Sequence, residues 1–307
     1  MSDMSPAVRV RGLVKSYGPV QAVRGIDLDI HPGEIFALLG PNGAGKTTTI
    51  EILEGYRSRD SGEVLVLGHD PGRERAKIKP RVGIVLQKTG VDRYLTVAET
   101  IQLFASYYPR PRPVDEVIDL VGLDAKRGAR VTTLSGGQLR RLDMAVALAG
   151  DPDLLFLDEP TNGLDPKGRD EMLELVRDLA HNKGVNLILS SHLLPDVEYT
   201  CDHVVVMDRG RVATAGPITA LKQPRGQVYE LRVKAPNGDR APFLRALEAA
   251  GLEFHTADED LMRVFVPGDG GARQLFTFAA SAGIQVRHLR PSVPTLEDVF
   301  AHAVGEN

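Results

Sequence analysis

From Arg9 to about Thr219 the chain alternates short runs of β-branched and apolar residues with stretches whose apolar positions recur at helical spacing. Alternation of that kind predicts an α/β domain with a largely parallel central sheet. Five runs are short, apolar and bounded by polar or turn residues, as strands buried on both faces require: 35–39, 82–86, 154–157, 187–190 and 204–207. Between them, Thr96 and Glu99 have the spacing of a capping box, in which the hydroxyl accepts from the Glu N–H and the carboxylate reaches back to the Thr N–H. A helix is predicted to start there, with Ile101, Phe104 and Tyr108 at i, i+3 and i+7 and a stop before Pro111 and Pro113. A second helix runs from Val114 to a cap at Gly122, and the pair forms a separable helical lobe.

The pattern changes at 222–226, which carries Pro and Gly without periodicity. Beyond it come an alternating strand from Val228, a helix from Pro242 that ends at Gly251, and a hairpin of 253–256 and 262–266 around Asp258, Glu259 and Asp260. A helix through Leu275, Phe276 and Phe278 and a strand at 285–289 follow. That order, βαββαβ, predicts a small ferredoxin-like α+β unit. A last helix places Leu296, Val299, Phe300 and Val304 at i, i+3, i+4 and i+8, an apolar stripe read as packing on its own domain. The predicted layout is therefore a first domain at 1–221, a linker at 222–227 and an accessory domain at 228–307.

Composition narrows the class. With 37 Lys+Arg against 41 Asp+Glu the formal charge is −4, which lacks the basic footprint of a dedicated nucleic-acid binder. The basic run 73–81 is broken by one Glu and one Ile and reads as a solvated helix face. No apolar run approaches the roughly 18 residues of a membrane span. A single cysteine, Cys201, and the absence of a leader pattern at the first residues predict a cytoplasmic protein.

The chemistry starts at Gly40-Pro41-Asn42-Gly43-Ala44-Gly45-Lys46-Thr47, which fits G-x-x-x-x-G-K-[ST] between an apolar strand and a helical pattern beginning at Thr48. Glycines let successive N–H groups curl around an anion, and the helix start adds partial positive charge. Lys46 neutralises the terminal phosphates and Thr47 ligates Mg²⁺. Downstream, 154–157 ends in adjacent carboxylates, Asp158 and Glu159. Alone this is a strand followed by a solvated turn. Beside a phosphate loop it assigns Asp158 to the Mg²⁺ shell and Glu159 to the attacking water. Leu134-Ser135-Gly136-Gly137-Gln138 precedes the helical pattern Leu139, Leu142, Ala145, Val146 and Leu148, with Ser135 in N-cap position. In isolation that is a capped helix after a flexible turn; with a phosphate loop present it is a second anion-ready helix start.

These three motifs, in this order, resemble the nucleotide-binding subunits of ATP-binding cassette transporters, and Leu134 to Gln138 is the discriminating one. The resemblance spans about Val10 to Gly216. It implies an adenine-stacking role for Tyr17, a link from Mg²⁺ and water to the membrane partner for Gln87, and a loop crossing between subunits at Gly163-Leu164-Asp165. It makes His192 a switch residue at the γ-phosphate. It further implies ATP and Mg²⁺ as cofactors, a separate integral-membrane permease and a head-to-tail homodimer. In that dimer Ser135, Gly136 and Gly137 of one chain close over ATP held by the other, on the cytoplasmic face of the membrane. The implied fold is a P-loop cassette with an antiparallel β-subdomain and a helical subdomain. The segment 294–300 resembles the tail of drug- and antibiotic-resistance exporter ATPases of the daunorubicin-resistance type, so export of drugs, antibiotics, lipids or polymers is expected. The alternatives are an importer ATPase and a soluble ATPase acting on DNA or ribosomes. Importer tails commonly resemble other folds, and the interval from Lys46 to Ser135 has no room for the coiled coil of DNA-maintenance versions. Only one motif set is present, where translation versions have two.

Overall fold

The computed structural model describes residues 5–304 apart from 87–89, 224–225, 236–237, 257–260 and 268–270. The backbone divides into two compact units, Met1–Pro217 and Ile218–Asn307.

In the first unit, in chain order, come β1 (Val8–Tyr17), β2 (Val20–Ile30), β3 (Ile35–Leu39), α1 (Lys46–Leu53), β4 (Ser61–Val66), α2 (Arg75–Ile78), β5 (Val82–Val85), α3 (Val97–Ala105) and α4 (Val114–Leu120). They are followed by α5 (Gly136–Leu148), β6 (Leu154–Asp158), α6 (Pro166–His181), β7 (Asn186–Ser190), α7 (Leu194–Thr200), β8 (His203–Asp208) and β9 (Arg211–Pro217). Six strands form the central sheet in the order β5-β6-β7-β3-β8-β9. The pairs from β5 through β8 are parallel, and only β9 runs antiparallel, at the edge. Every residue of β3 and β7 is buried, the signature of strands covered on both faces. β9 instead alternates exposed and half-buried positions, as an edge strand does.

This order places the loops after β6, β7 and β3 side by side along the carboxyl edge of the sheet, where ligands of open α/β sheets bind. A second sheet, antiparallel and ordered β2-β1-β4, supplies Val8, Val10, Leu13, Val23 and Val64 to one apolar cluster with Phe36 and Leu38 of β3 and Ile52 and Leu53 of α1. The helix supporting the phosphate loop is therefore anchored at its far end. The helical lobe begins with the capping box at Thr96: Glu99 N donates to Thr96 Oγ1 at 3.2 Å and Thr96 N to Glu99 Oε2 at 2.8 Å. Ile101 is fully buried on that helix, a burial worth about 2 to 3 kcal/mol.

The second unit contains α8 (Ile218–Leu221), β10 (Gln227–Lys234), α9 (Ala241–Ala249), β11 (Phe254–Thr256), β12 (Leu261–Val266), α10 (Gly271–Ser281), β13 (Gln285–Ser292) and α11 (Leu296–Val304). Its sheet is antiparallel in the order β11-β12-β10-β13, the ferredoxin-like arrangement. Leu231, Val233, Phe243, Leu247, Met262, Val264 and Leu275 fill its core. The apolar stripe of α11 is only partly what its spacing indicates: Leu296 is buried, whereas Val299, Phe300 and Val304 are half-buried and the charged Asp298 is fully buried. Asp298 is tolerated there because Thr295 N donates to it at 2.6 Å and Arg263 Nε and His255 Nδ1 lie 3.1 and 3.3 Å away.

Candidate nucleotide site

The chain leaves β3 at Leu39 and turns through 40–45 into α1. Two glycines are obligatory in this turn. Gly40 has φ 147° and a Cβ there would lie 2.3 Å from Met207 O; Gly45 has φ 101° and its Cβ would lie 2.4 Å from Ala22 O. Gly43, also left-handed at φ 83°, and Asn42 are exposed, Pro41 is half-buried, and Ala44 is buried with its carbonyl accepting from Gly210 N at 3.0 Å. No side chain caps α1, so its first-turn N–H groups face outward with no partner inside the helix. Thr47 is exposed and Thr48 half-buried on that turn.

Lys46 folds back over the loop, its Nζ donating to Gly40 O at 2.6 Å and Pro41 O at 3.0 Å. Burial holds its pKa below the usual lysine value, and the charge of Glu159 acts in the opposite direction. Glu159 directly follows Asp158, the last residue of β6. There Ser190 Oγ donates to Asp158 Oδ1 at 2.6 Å, engaging one oxygen of an exposed carboxylate.

Glu159 has φ 48°, a left-handed conformation that costs a non-glycine residue about 1 kcal/mol or more. The turn is held in that shape: Glu159 N donates to Ser190 O at 2.9 Å, and His192 contacts Glu159 Oε1 through its backbone N at 3.1 Å and its Nδ1 at 2.8 Å. Glu159 Oε2 is buried without a hydrogen-bond partner. An orphaned carboxylate oxygen costs desolvation energy unless something accompanies it, so it is a position waiting for a donor. The His192 side chain is largely exposed.

At the start of α5, Gln138 N donates to Ser135 Oγ at 3.3 Å and Ser135 N to Gln138 Oε1 at 3.1 Å, a complete capping box. Ser135 and Gly136 are exposed, and a Cβ on Gly136 or Gly137 would meet nothing within 4 Å. Asp165 caps α6, accepting from Gly168 N at 3.1 Å. Among the described residues, no hydrogen bond or ion pair joins Ser135, Gln138 or Asp165 to Lys46, Asp158, Glu159 or His192. Tyr17, at the end of β1, is 39% exposed, with Lys15 Nζ 5.6 Å and the Arg57 guanidinium 5.2 Å from its ring centre. Gln87 lies outside the described residues.

Sequence reasoning missed three side chains around these groups. Arg140, buried on α5, donates to the carbonyls of Leu86, Asp158, Glu159 and Pro160. Asp196 of α7 accepts from Thr161 Oγ1 at 2.6 Å and Arg169 Nε at 2.5 Å, bracing the same turn. Glu54, at the end of α1, has its carboxyl pushed up to about 7 by burial and then by the charges of Glu51 and Asp158. The one available signal was Arg140 itself, a charge inside the apolar pattern of Leu139, Leu142 and Ala145.

Backbone donors and an ammonium gathered at a helix start collect phosphate oxygens, and the acid turn on the next strand but one stands where water would be set against them. The class this defines is the phosphate-loop nucleoside triphosphatase. A family profile described as ABC transporter matches residues 23–162. Over 97% of this chain and 97% of that protein, the sequence is 36% identical to the Nod factor export ATP-binding protein I of Rhizobium sp. (strain N33). It is 33% identical to the daunorubicin/doxorubicin resistance ATP-binding protein DrrA of Streptomyces peucetius, over 97% of this chain and 92% of the relative. The solved structure of cbiO1 from Clostridium perfringens, part of the ABC transporter complex cbiONQ, matches with a TM-score of 0.64 at 30% identity, over 69% of this chain and 89% of that one. The chain belongs to the ABC transporter family, as an ATP-binding subunit with ATPase activity.

Proposed function

We propose that this chain energises export through a separate integral-membrane permease, bound at the cytoplasmic face of the membrane, and that two copies share two ATP sites. The exported class is that of drugs, antibiotics, lipids or polymers, in keeping with the relatives named above. Among the described residues no helix is long and apolar enough to cross a membrane, which supports a separate permease. The observation that carries the catalytic reading is the Glu159 carboxylate, with one oxygen on His192 and the other buried and unpartnered.

In this reading the α1 N–H groups and Lys46 bind the phosphates of ATP, and Tyr17 stacks on the adenine. Residues 40–48 cradle the chain of phosphates. The oxygens of Thr47 and Asp158 suit a Mg²⁺ ion: Thr47 is exposed, and Ser190 engages only one oxygen of the exposed Asp158 carboxylate, a sparse set of hard oxygens for a cation carried mainly by phosphates. Thr47, Asp158 and Gln87 would hold it, and when bound it neutralises charge developing on the phosphates. Glu159 Oε2 accepts a hydrogen from the attacking water and orients it in line with the γ-phosphorus. His192 holds Glu159 and reaches the γ-phosphate. Ser135, Gly136, Gly137, Gln138 and Asp165 complete the site from the second subunit. The Ser135 hydroxyl oxygen accepts from Gln138 N, which leaves its O–H, together with the Gly136 and Gly137 N–H groups, to donate to phosphate. The two units, Met1–Pro217 and Ile218–Asn307, act as cassette and accessory domain, and no nucleic-acid role is assigned.

Glu159→Gln tests the reading. It keeps shape and ATP binding, and hydrolysis is expected to fall by about 100-fold or more, with ATP affinity within about threefold of the wild type. Near-normal turnover in the purified variant removes Glu159 from the catalytic role.

A further inference from the structure

Three successive carbonyls, those of Asp158, Glu159 and Pro160, run from the last residue of β6 into the turn that follows it. Such groups need donors from elsewhere. Asn162 N donates to Glu159 O at 3.1 Å, and one side chain reaches all three. Arg140 Nη2 donates to Asp158 O at 2.7 Å and to Glu159 O at 3.0 Å, and its Nε to Pro160 O at 3.0 Å. Its remaining arm, Nη1, reaches Leu86 O at 2.5 Å, the last described residue before Gln87. Arg140 is 6% exposed, and burial opposes its charge, which Asp143, Asp158 and Glu159 favour; Asp143 lies 3.7 Å away on the same helix. Burying a cation to hold carbonyls is an expensive way to fill space, so an apolar side chain would serve packing better. The planar fork of five donors is what lets one residue hold several carbonyls in fixed directions.

Arg140 also has a position that matters. It lies one helical turn, about 6 Å of rise, past Gly136, and its side chain spans the rest of the way to the turn that carries Glu159. We propose that Arg140 is a positioning residue for hydrolysis: it clamps the strained Glu159 turn and makes that turn move with the helix that begins at Ser135. A shift imposed on the start of α5 by a nucleotide is thereby transmitted to the carboxylate that orients water, and to the segment entering Gln87. The proposal rests on the assignment of Glu159 as the catalytic carboxylate.

The test is a double-mutant cycle on the full-length chain, with steady-state Mg·ATP hydrolysis, ATP affinity and thermal midpoint measured for Arg140→Gln, Glu159→Gln and the double variant. Arg140→Gln is expected to lower kcat by about tenfold or more while KM and ATP affinity stay within about threefold. In the Glu159→Gln background the same substitution should change residual hydrolysis by less than about twofold, because the group it positions is already gone. A side chain that only supports the fold would lower activity by the same factor in both backgrounds, and that result overturns the proposal. So does a kcat for Arg140→Gln within about twofold of the wild type. Arg140→Lys keeps the charge without the fork and is expected to recover only part of the loss; full recovery by Lys overturns the carbonyl clamp. If Arg140→Gln does not fold, Arg140→Lys carries the same cycle. Near-wild-type turnover by Glu159→Gln alone identifies the other failure, that of the carboxylate assignment itself.

Discussion

Glu54 follows the last residue of α1, half-buried, and its carboxyl is pushed up to about 7. Burial is the first cause, with the charges of Glu51 and Asp158 behind it. The consequence for stability has a definite sign. Below about 4.5 the group is protonated in both folded and unfolded chains and favours neither; between about 4.5 and about 7 the folded state keeps a proton that the unfolded chain has released. Stability therefore declines as pH rises through that window, and the loss is complete above it. Glu54→Gln removes the titration while keeping the shape. Its melting temperature is expected to exceed the wild type's by a few degrees at pH 8 and to match it near pH 5. Parallel curves of melting temperature against pH would show that Glu54 titrates normally. Glu159 illustrates a different economy at the same scale: a residue held left-handed at φ 48° is a cost accepted at a functional turn, and the bonds from Ser190, His192 and Arg140 are what hold it there.

Elements differ in how openly the sequence declares them. The buried strands β3, β6, β7 and β8 and the capped helices α3 and α5 were legible because local signals agree: apolar runs of the right length, a Thr or Ser cap, a Glu or Gln three residues on. β1 and β2 were harder, since their register shifts between Val10 and Leu13 and between Lys15 and Ser16 break the alternation that marks a strand. The phosphate loop and the acid turn were legible as motifs, but the supports of the acid turn were not. Arg140 meets carbonyls 18, 19, 20 and 54 residues away, and Asp196 meets Thr161 from 35 residues away, so nothing in their neighbourhoods announces them. Asp298 escaped for a similar reason: an apolar stripe counts hydrophobic positions and overlooks an acid buried against Arg263 and His255 on other strands. Removing that acid leaves Arg263 buried and uncompensated. Asp298→Ala is expected to destabilise the second unit by about 3 kcal/mol or more, read as a lower urea midpoint for that unit's transition. A shift of less than about 0.5 kcal/mol would mean that Arg263 finds enough partners in Ser292 and Val293.

For the molecule as a whole, the feature with the widest reach is that, among the described residues, no hydrogen bond or ion pair joins Ser135 or Gln138 to Lys46 or Glu159 within one chain. If each site is completed by a second copy, two crippled chains can repair one another. Lys46→Ala removes the phosphate ammonium from one and Ser135→Arg blocks the helix start in the other; each alone should be inactive. Mixed dimers contain one intact site, so hydrolysis should return to a substantial fraction of half the wild-type rate. Mixed dimers shown to form and still inactive would argue that a site is complete in one chain. Such experiments need a way to watch subunits approach, and the chain already provides it. Its single cysteine, Cys201, is buried, and burial pushes its thiol well up, so little thiolate is present to react. A cysteine introduced by Tyr94→Cys, at a position 80% exposed, is then the one thiol a maleimide meets. Fluorophores or spin labels can be attached there without first stripping the native chain, and the distance between two copies can be followed through a catalytic cycle in otherwise unaltered protein.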